Sequence, residues 1–271
     1  MSVLKDKFLL RFRLGIIATV LTGCVTLGPQ LEWGSQYATP GTQLSLQHLG
    51  PGPAGSKMAD HTIICEKGGQ KCTSVRGRMA FYRLGASGFP QGRPLTLWTK
   101  RLDRPPKIVP TDVSVDESGT VVQRSEFGPI PVRGIGGIFV EGEPYEVVLI
   151  SADQSIRAFA KTIPFPIETR EGRCLLSVEL LSAKGDGFAI SGQEFEANEE
   201  IVAVSQYEGD RVESRLKTSP DGKFIVVQFP PVMAKQAGAA SFTAIGKFCK
   251  PTVSYKWGLP TLKTDPFETG W

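Results

Sequence analysis

The chain is poor in the residues from which reactive sites are assembled. Only two histidines occur in 271 residues, His48 and His61. Neither lies beside an obvious nucleophile, so no Ser-His-acid constellation is predicted. Ser214 and Lys217 have the spacing of a Ser-x-x-Lys pair, but such pairs work from a helix, and in an alternating strand the two point to opposite faces. Gly134-Ile135-Gly136-Gly137-Ile138 is glycine-rich without the Lys and Ser/Thr that hold a nucleotide phosphate, and reads as a bulged or flexible loop. Asp112, Ser114, Asp116 and Glu117 lack the glycine that sharpens a calcium loop, since Gly119 comes too late. Glu194, Glu196, Glu199 and Glu200 read as a solvated acidic turn. No catalytic residue, no metal and no cofactor is expected.

Charge of one sign and long apolar runs are scarce as well. The first 23 residues hold four of the 31 basic side chains and one of the 27 acidic ones, so the remainder carries a net charge near +1. That excludes an electrostatic case for nucleic acid. The apolar run Leu14–Leu21 is too short to span a bilayer, and with Lys5, Lys7, Arg11 and Arg13 before it and small residues after it, it reads as a secretory signal. No amphipathic helix longer than a few turns is apparent. Thirty glycines and 20 prolines, scattered without a period, fit many short strands and turns.

The residues Leu21-Thr22-Gly23-Cys24 resemble the lipobox of bacterial lipoproteins, in which an aliphatic residue and two small ones precede a cysteine that is lipidated and becomes the new N-terminus. The resemblance implies a signal peptide over 1–23, lipidation of Cys24, and, with Val25 rather than Asp following, export to the outer membrane, in either leaflet. Stable anchoring needs more than one acyl chain, and a lipobox cysteine carries several.

With Cys24 acylated, four cysteines remain in an oxidising compartment, and two disulfides are expected. A two-residue hairpin turn at Gly68-Gly69 sets Cys65 opposite Cys72, within disulfide reach. That leaves Cys174 with Cys249. A four-cysteine zinc site is disfavoured because no cysteine pair has the usual close spacing.

From 24 to 58 the chain reads as an irregular arm, interrupted by Gly50-Pro51-Gly52-Pro53-Ala54-Gly55 and with room for a short strand over 42–49. Alternating apolar residues then predict strands over 78–84, 94–100, 113–115, 120–124, 145–151 and 156–163, and, after Pro164-Phe165-Pro166, a second series over 175–181, 187–191, 201–206, 211–217, 223–229, 240–248 and 252–256. The two halves look like copies: the segment around Phe89 matches that around Phe195, Asp116-Glu117-Ser118-Gly119 matches Ser219-Pro220-Asp221-Gly222, and Val140–Tyr145 matches Gln236–Ser241. The second copy has Asn198 where the turn glycine of the first would sit.

This order of turns and strands resembles bacterial immunoglobulin-like repeats of envelope and secreted proteins. It implies an all-β protein of two tandem immunoglobulin-like β-sandwiches, over 59–168 and 169–258, followed by a tail over 259–271. The resemblance bears on fold and says nothing of function. Phe89 and Phe195 are expected to plug one end of each sandwich.

One segment combines an aromatic with several cations: Trp98, Lys100, Arg101, Arg104 and Lys107 around Pro105-Pro106. With Trp98 and Thr96 facing outward, it offers a surface able to meet a sugar, a lipid phosphate or an acidic protein. The sequence thus predicts a non-catalytic lipoprotein of the outer membrane that serves as a structural or interaction component of the envelope, with membrane and envelope proteins as partners. The alternative is a glycan- or acidic-partner-binding module using the Trp98 to Lys107 loop.

Overall fold

The computed structural model describes residues 33–49, 61–65, 72–76, 78–102, 104–109, 112–230 and 235–258, with backbone alone for 61–65, 72–76, 79 and 104. The expected signal segment over 1–23, Cys24, the expected turn at Gly68-Gly69 and the expected tail over 259–271 lie outside the described residues. Those described form an all-β structure of two immunoglobulin-like sandwiches, without an α-helix.

The first sandwich contains β1 (Gln43–His48), β4 (Arg78–Ser87), β5 (Leu95–Arg101), β6 (Arg104–Ile108), β7 (Val113–Val115), β8 (Val121–Ser125), β9 (Gly128–Pro131), β10 (Ile135–Phe139), β11 (Tyr145–Ser151) and β12 (Arg157–Thr162); a separate hairpin is formed by β2 (His61–Cys65) and β3 (Cys72–Arg76). One sheet runs β1-β4-β10, and the facing sheet runs β12-β11-β5-β7-β8-β9, with β6 also paired to β5. Each central strand alternates. Leu95 and Leu97 of β5 and Val147 and Leu149 of β11 point inward against Ala80, Tyr82 and Leu84 of β4 and Ile135 and Phe139 of β10. Full burial of such a side chain contributes roughly 1.5–3 kcal/mol, and a slip of one residue would turn every one of them outward.

The second sandwich is built from β13 (Ile167–Glu171), β14 (Cys174–Leu180), β15 (Phe188–Gln193), β16 (Glu200–Tyr207), β17 (Asp210–Lys217), β18 (Phe224–Gln228), β19 (Gly238–Ile245) and β20 (Thr252–Trp257). Its sheets run β13-β14-β15-β18 and β17-β16-β19-β20. Cys174, Leu176, Val178 and Leu180 alternate inward from β14 and meet Ile201, Phe242, Val253 and Tyr255 of the other sheet. A disulfide joins Cys174 to Cys249 across the two sheets, with the Cα atoms 6.3 Å apart. Cys65 and Cys72 stand directly opposite in the backbone register of the β2–β3 hairpin.

The internal match found in the sequence corresponds to matching backbone. Gly88 and Gly92, at the two ends of the first turn, have φ of 77° and 65°, and Glu194 and Asn198 at the same places in the second copy have 62° and 57°. Asn tolerates this left-handed conformation better than most side chains, which is how it stands in for the glycine. The turn that follows agrees as well, whereas the third match does not, since Gly142 has φ of 77° and Gly238 has no positive φ. Asp116 N donates to Thr120 O and Gly119 N to Asp116 O, while Ser219 N donates to Lys223 O and Gly222 N to Ser219 O.

Three expectations are corrected. The short strand expected over 42–49 is present as β1, but residues 34–48 are no tether: β1 pairs with β4 along its whole length, and Thr39 and Thr42 hydrogen-bond to the backbone of Arg157. Alternation over so short a strand is a weak signal beside the Gly and Pro that flank it. The glycine-rich segment is not a loop: from Ile135 on it forms strand β10, paired with β4. Glycine is needed there because a Cβ on Gly136 would sit 2.1 Å from the carbonyl oxygen of Ala80. Finally, the segment from Trp98 to Lys107 is a hairpin, with Arg101 opposite Arg104. Pro105 and Pro106 are tolerated because β6 pairs on one side only.

Candidate functional site

The β5–β6 hairpin and the β8–β9 hairpin flank a groove of about 720 Å³ on the first sandwich. Its cationic lining comes from Arg101, Lys107, Arg124 and Arg133, its apolar lining includes Pro105, Val109, Ile130 and Pro131, and Tyr145 also contributes. The volume is in the range of small-ligand sites.

Strand pleat divides the predicted residues. Thr99 and Arg101 line the groove, whereas Trp98 and Lys100 lie on the opposite face of β5, where Lys100 Nζ is 3.3 Å from Glu146 Oε2. Lys107 reaches the groove from β6 and is exposed. Arg104 belongs to β6, and its side chain lies outside the described residues. The predicted set therefore does not form one surface.

Arg101 is held rather than loose. Its Nε and Nη2 donate to the two carboxylate oxygens of Glu143 at 2.8 and 2.9 Å, and its guanidinium lies 4.5 Å from the Phe139 ring centroid. Glu143 is 4% exposed, and its Oε2 also accepts from Val140 N at 3.1 Å. A two-pronged pair with its remaining lone pair satisfied is the geometry in which a buried ion pair is tolerated. Beside it, burial pushes the Tyr145 hydroxyl up to about 12, opposed by its hydrogen bond with Thr99 and by the Arg101 charge. Arg101, Glu143 and Tyr145 thus make a stiff wall.

Arg124 and Arg133 complete the cationic lining, and sequence reasoning missed both. They sit on either limb of an insertion that carries no motif, and only the folding back of β9 on β8, with Arg124 opposite Pro129, brings them to one place. At the tip of this hairpin Phe127 is 96% exposed, and Ile130 is 51% exposed. No carboxylate among the described residues forms an ion pair with Lys107, Arg124 or Arg133.

The second sandwich has a different open feature. Strand β18 ends its sheet; Ile225 and Val227 on its outer side are 73% and 52% exposed, and Phe229, the residue after it, is 64% exposed. The other edge strands of this sandwich carry charge: Arg211, Glu213, Arg215 and Lys217 on β17, Glu168, Arg170 and Glu171 on β13, and Lys256 on β20. Charged residues are the usual guard of a strand edge, and β18 is without them.

Elsewhere polar groups serve the fold. Asp116 is held below its ordinary value, chiefly by the Ser118 hydroxyl and then by the backbone of Thr120, and closes its own turn. In the second core Tyr255 donates to Gln228 Oε1 at 2.7 Å, and Gln228 Nε2 donates to Ser205. Burial raises the Tyr255 hydroxyl above its ordinary value. Ser214 and Lys217 occupy successive opposite faces of β17. Among the described residues, no three His, Cys, Asp or Glu side chains converge as a metal site would require.

These features define a class by fold alone: an all-β chain of two immunoglobulin-like sandwiches. Neither a scan against protein-family models nor a search of curated proteins finds a match for it.

Proposed function

We propose that this protein is a non-catalytic lipoprotein of the outer membrane, anchored through Cys24 and serving as an interaction component of the cell envelope. The observation that carries the interaction role is the bare β18 edge. Ile225 and Val227 stand outward at alternate positions on a strand with no neighbour beyond it among the described residues, and Phe229, just past its end, is exposed as well. Exposed apolar edges of this kind favour strand addition by a partner, whose backbone supplies hydrogen bonds while alternate side chains are recognised. The lipobox resemblance of Leu21-Thr22-Gly23-Cys24 supports the anchor.

Two experiments test the two parts. Cys24→Ala should stop fatty-acid labelling and release the protein from membranes, and unchanged labelling would refute the anchor. A photo-crosslinking residue placed at Val227 in cells should trap a discrete partner that one placed at Glu213 on β17 does not. Equal trapping from both positions, or none from either, would remove the edge as the contact.

A second reading is recognition of a glycan or acidic partner through the segment from Trp98 to Lys107. It is favoured by the convergence of Arg101 and Lys107 with Arg124 and Arg133 around one groove.

A further inference from the structure

The groove and the hairpin beside it form one amphipathic device. At the tip of the β8–β9 hairpin, Phe127 is 96% exposed, and no described residue covers it. Ile130 lies on the descending limb and lines the groove, and Val109, which lines the groove from the β6 side, is 48% exposed. Lys107, Arg124 and Arg133 stand around the groove behind this apolar tip, each exposed. A fully exposed phenylalanine is a poor choice for a surface that meets only water. An aromatic tip with cations set behind it is the arrangement that lets a ring enter an apolar layer while the charges stay with anions at its boundary.

The hairpin itself is well made. Ser125 Oγ donates to Gly128 O at 2.6 Å and accepts from Phe127 N at 3.2 Å. Gly128, with φ of 101°, supplies a backbone conformation that suits glycine. The turn is therefore built to present Phe127 outward. The insertion that carries it has no equivalent in the second sandwich, where the matching turn at Ser219–Lys223 leads directly into β18.

We infer that the β8–β9 hairpin is a membrane-docking element for an anionic lipid surface, with Phe127 entering the interfacial layer and Lys107, Arg124 and Arg133 contacting lipid phosphates. This rests on the second reading above and names its acidic partner. Arg101, which lines the groove, is held by Glu143 and takes no direct part. Charge complementarity selects the occupant. The three cations form no ion pair among the described residues, and each basic residue near an anionic leaflet adds attraction that salt weakens. Glu126, at the tip beside Phe127, is exposed and opposes this attraction, but the three cations outnumber it.

The test uses the full chain reconstituted in vesicles. An environment-sensitive fluorophore is attached at Phe127→Cys and, separately, at Val212→Cys on β17, with the wild-type chain labelled in parallel as background. In vesicles of phosphatidylcholine and phosphatidylglycerol at three to one, the label at 127 should shift to the blue and be quenched by lipid-borne nitroxides, and the label at 212 should do neither. In vesicles of phosphatidylcholine alone, or with Arg124→Glu and Arg133→Glu added, the quenching at 127 should fall about tenfold. A label at 127 that stays in water on anionic vesicles overturns the inference, as does one quenched equally on neutral vesicles. A soluble heparin oligosaccharide is titrated in the same preparations. If it perturbs the label at 127 while anionic vesicles do not, the acidic-partner reading stands and the lipid surface falls. If neither perturbs it, both fall.

Discussion

The two sandwiches are the same architecture finished in two ways. In the first, the chain between β5 and β10 runs from Arg101 to Ile135 and builds β6, β7, β8 and β9 on the way. In the second, the chain between β16 and β18 runs from Tyr207 to Phe224 and makes only β17 and a turn. The longer connection covers one side of its sandwich and creates a cationic groove with an apolar tip. The shorter one returns at once to the sheet and leaves β18 bare at its edge. Even the covering of the corresponding edge differs, since β2 approaches β10 to within 8 Å between Cα atoms. In this chain surface diversity comes from one connection, while the inward alternation that holds each core is kept.

The cores also differ in how they are fastened, and that difference predicts the largest effect. Replacing Cys174 and Cys249 together by Ala opens a bridge spanning 75 residues and should cost about 4.5 kcal/mol by the chain-entropy model. Denaturant unfolding followed by hydrogen exchange should place the loss in the second sandwich. An equal loss in the first would mean that the two fold as one unit, through contacts such as Leu180 N to Gly142 O, and the comparison would break there.

The first sandwich has no such bridge between its sheets among the described residues. Its internal fastening is the Arg101–Glu143 pair. Glu143→Ala removes the two-pronged carboxylate partner of a guanidinium whose side chain is only 15% exposed and should destabilise by about 3 kcal/mol, read as a lower denaturation midpoint. The corresponding Gln228→Ala change in the second core disturbs only neutral hydrogen bonds to Tyr255 and Ser205 and should cost about 1–3 kcal/mol. Equal costs would argue that the ion pair is no more than an ordinary polar contact.

The smallest effect compares the matched turns. Gly119 and Gly222 have φ of 79° and 70°, and a Cβ would lie 2.8 Å from Ala86 O in one and 2.2 Å from Phe195 O in the other. Ala at either position should destabilise by about 1–2 kcal/mol, more at Gly222. Thermal unfolding of the two variants decides the order, and the reverse order would show that the two turns are not equivalent.

How far this could be read from residues alone follows the same division. Val113–Val115, with its alternating burial, and Tyr145–Ser151, a short apolar run buried on both faces, were legible to the residue, because each leaves a direct trace in sequence between turn signals. The repeat was legible through its turns, since positive φ demands glycine or a near substitute. Strand β10 was not, because its glycines serve a close approach to β4 that only the fold reveals. The Trp98 to Lys107 segment drew attention for the right residue types, but Arg124 and Arg133 could not be placed with Arg101 and Lys107 before the insertion was seen to fold back. Sequence distance hides such convergence, whereas a ladder of alternating residues announces itself locally.

Strand β18 ends its sheet with no neighbour beyond it among the described residues, and residue-resolved amide exchange on the intact chain tests this edge directly. Backbone groups of an edge strand alternate between those bonded to the neighbour and those facing out. Between Phe224 and Gln228, amides bonded to β15 should be protected like the core, and those between them should exchange as fast as exposed loop amides. Uniform protection along the strand would mean that another segment already pairs with β18, and the open edge would not exist.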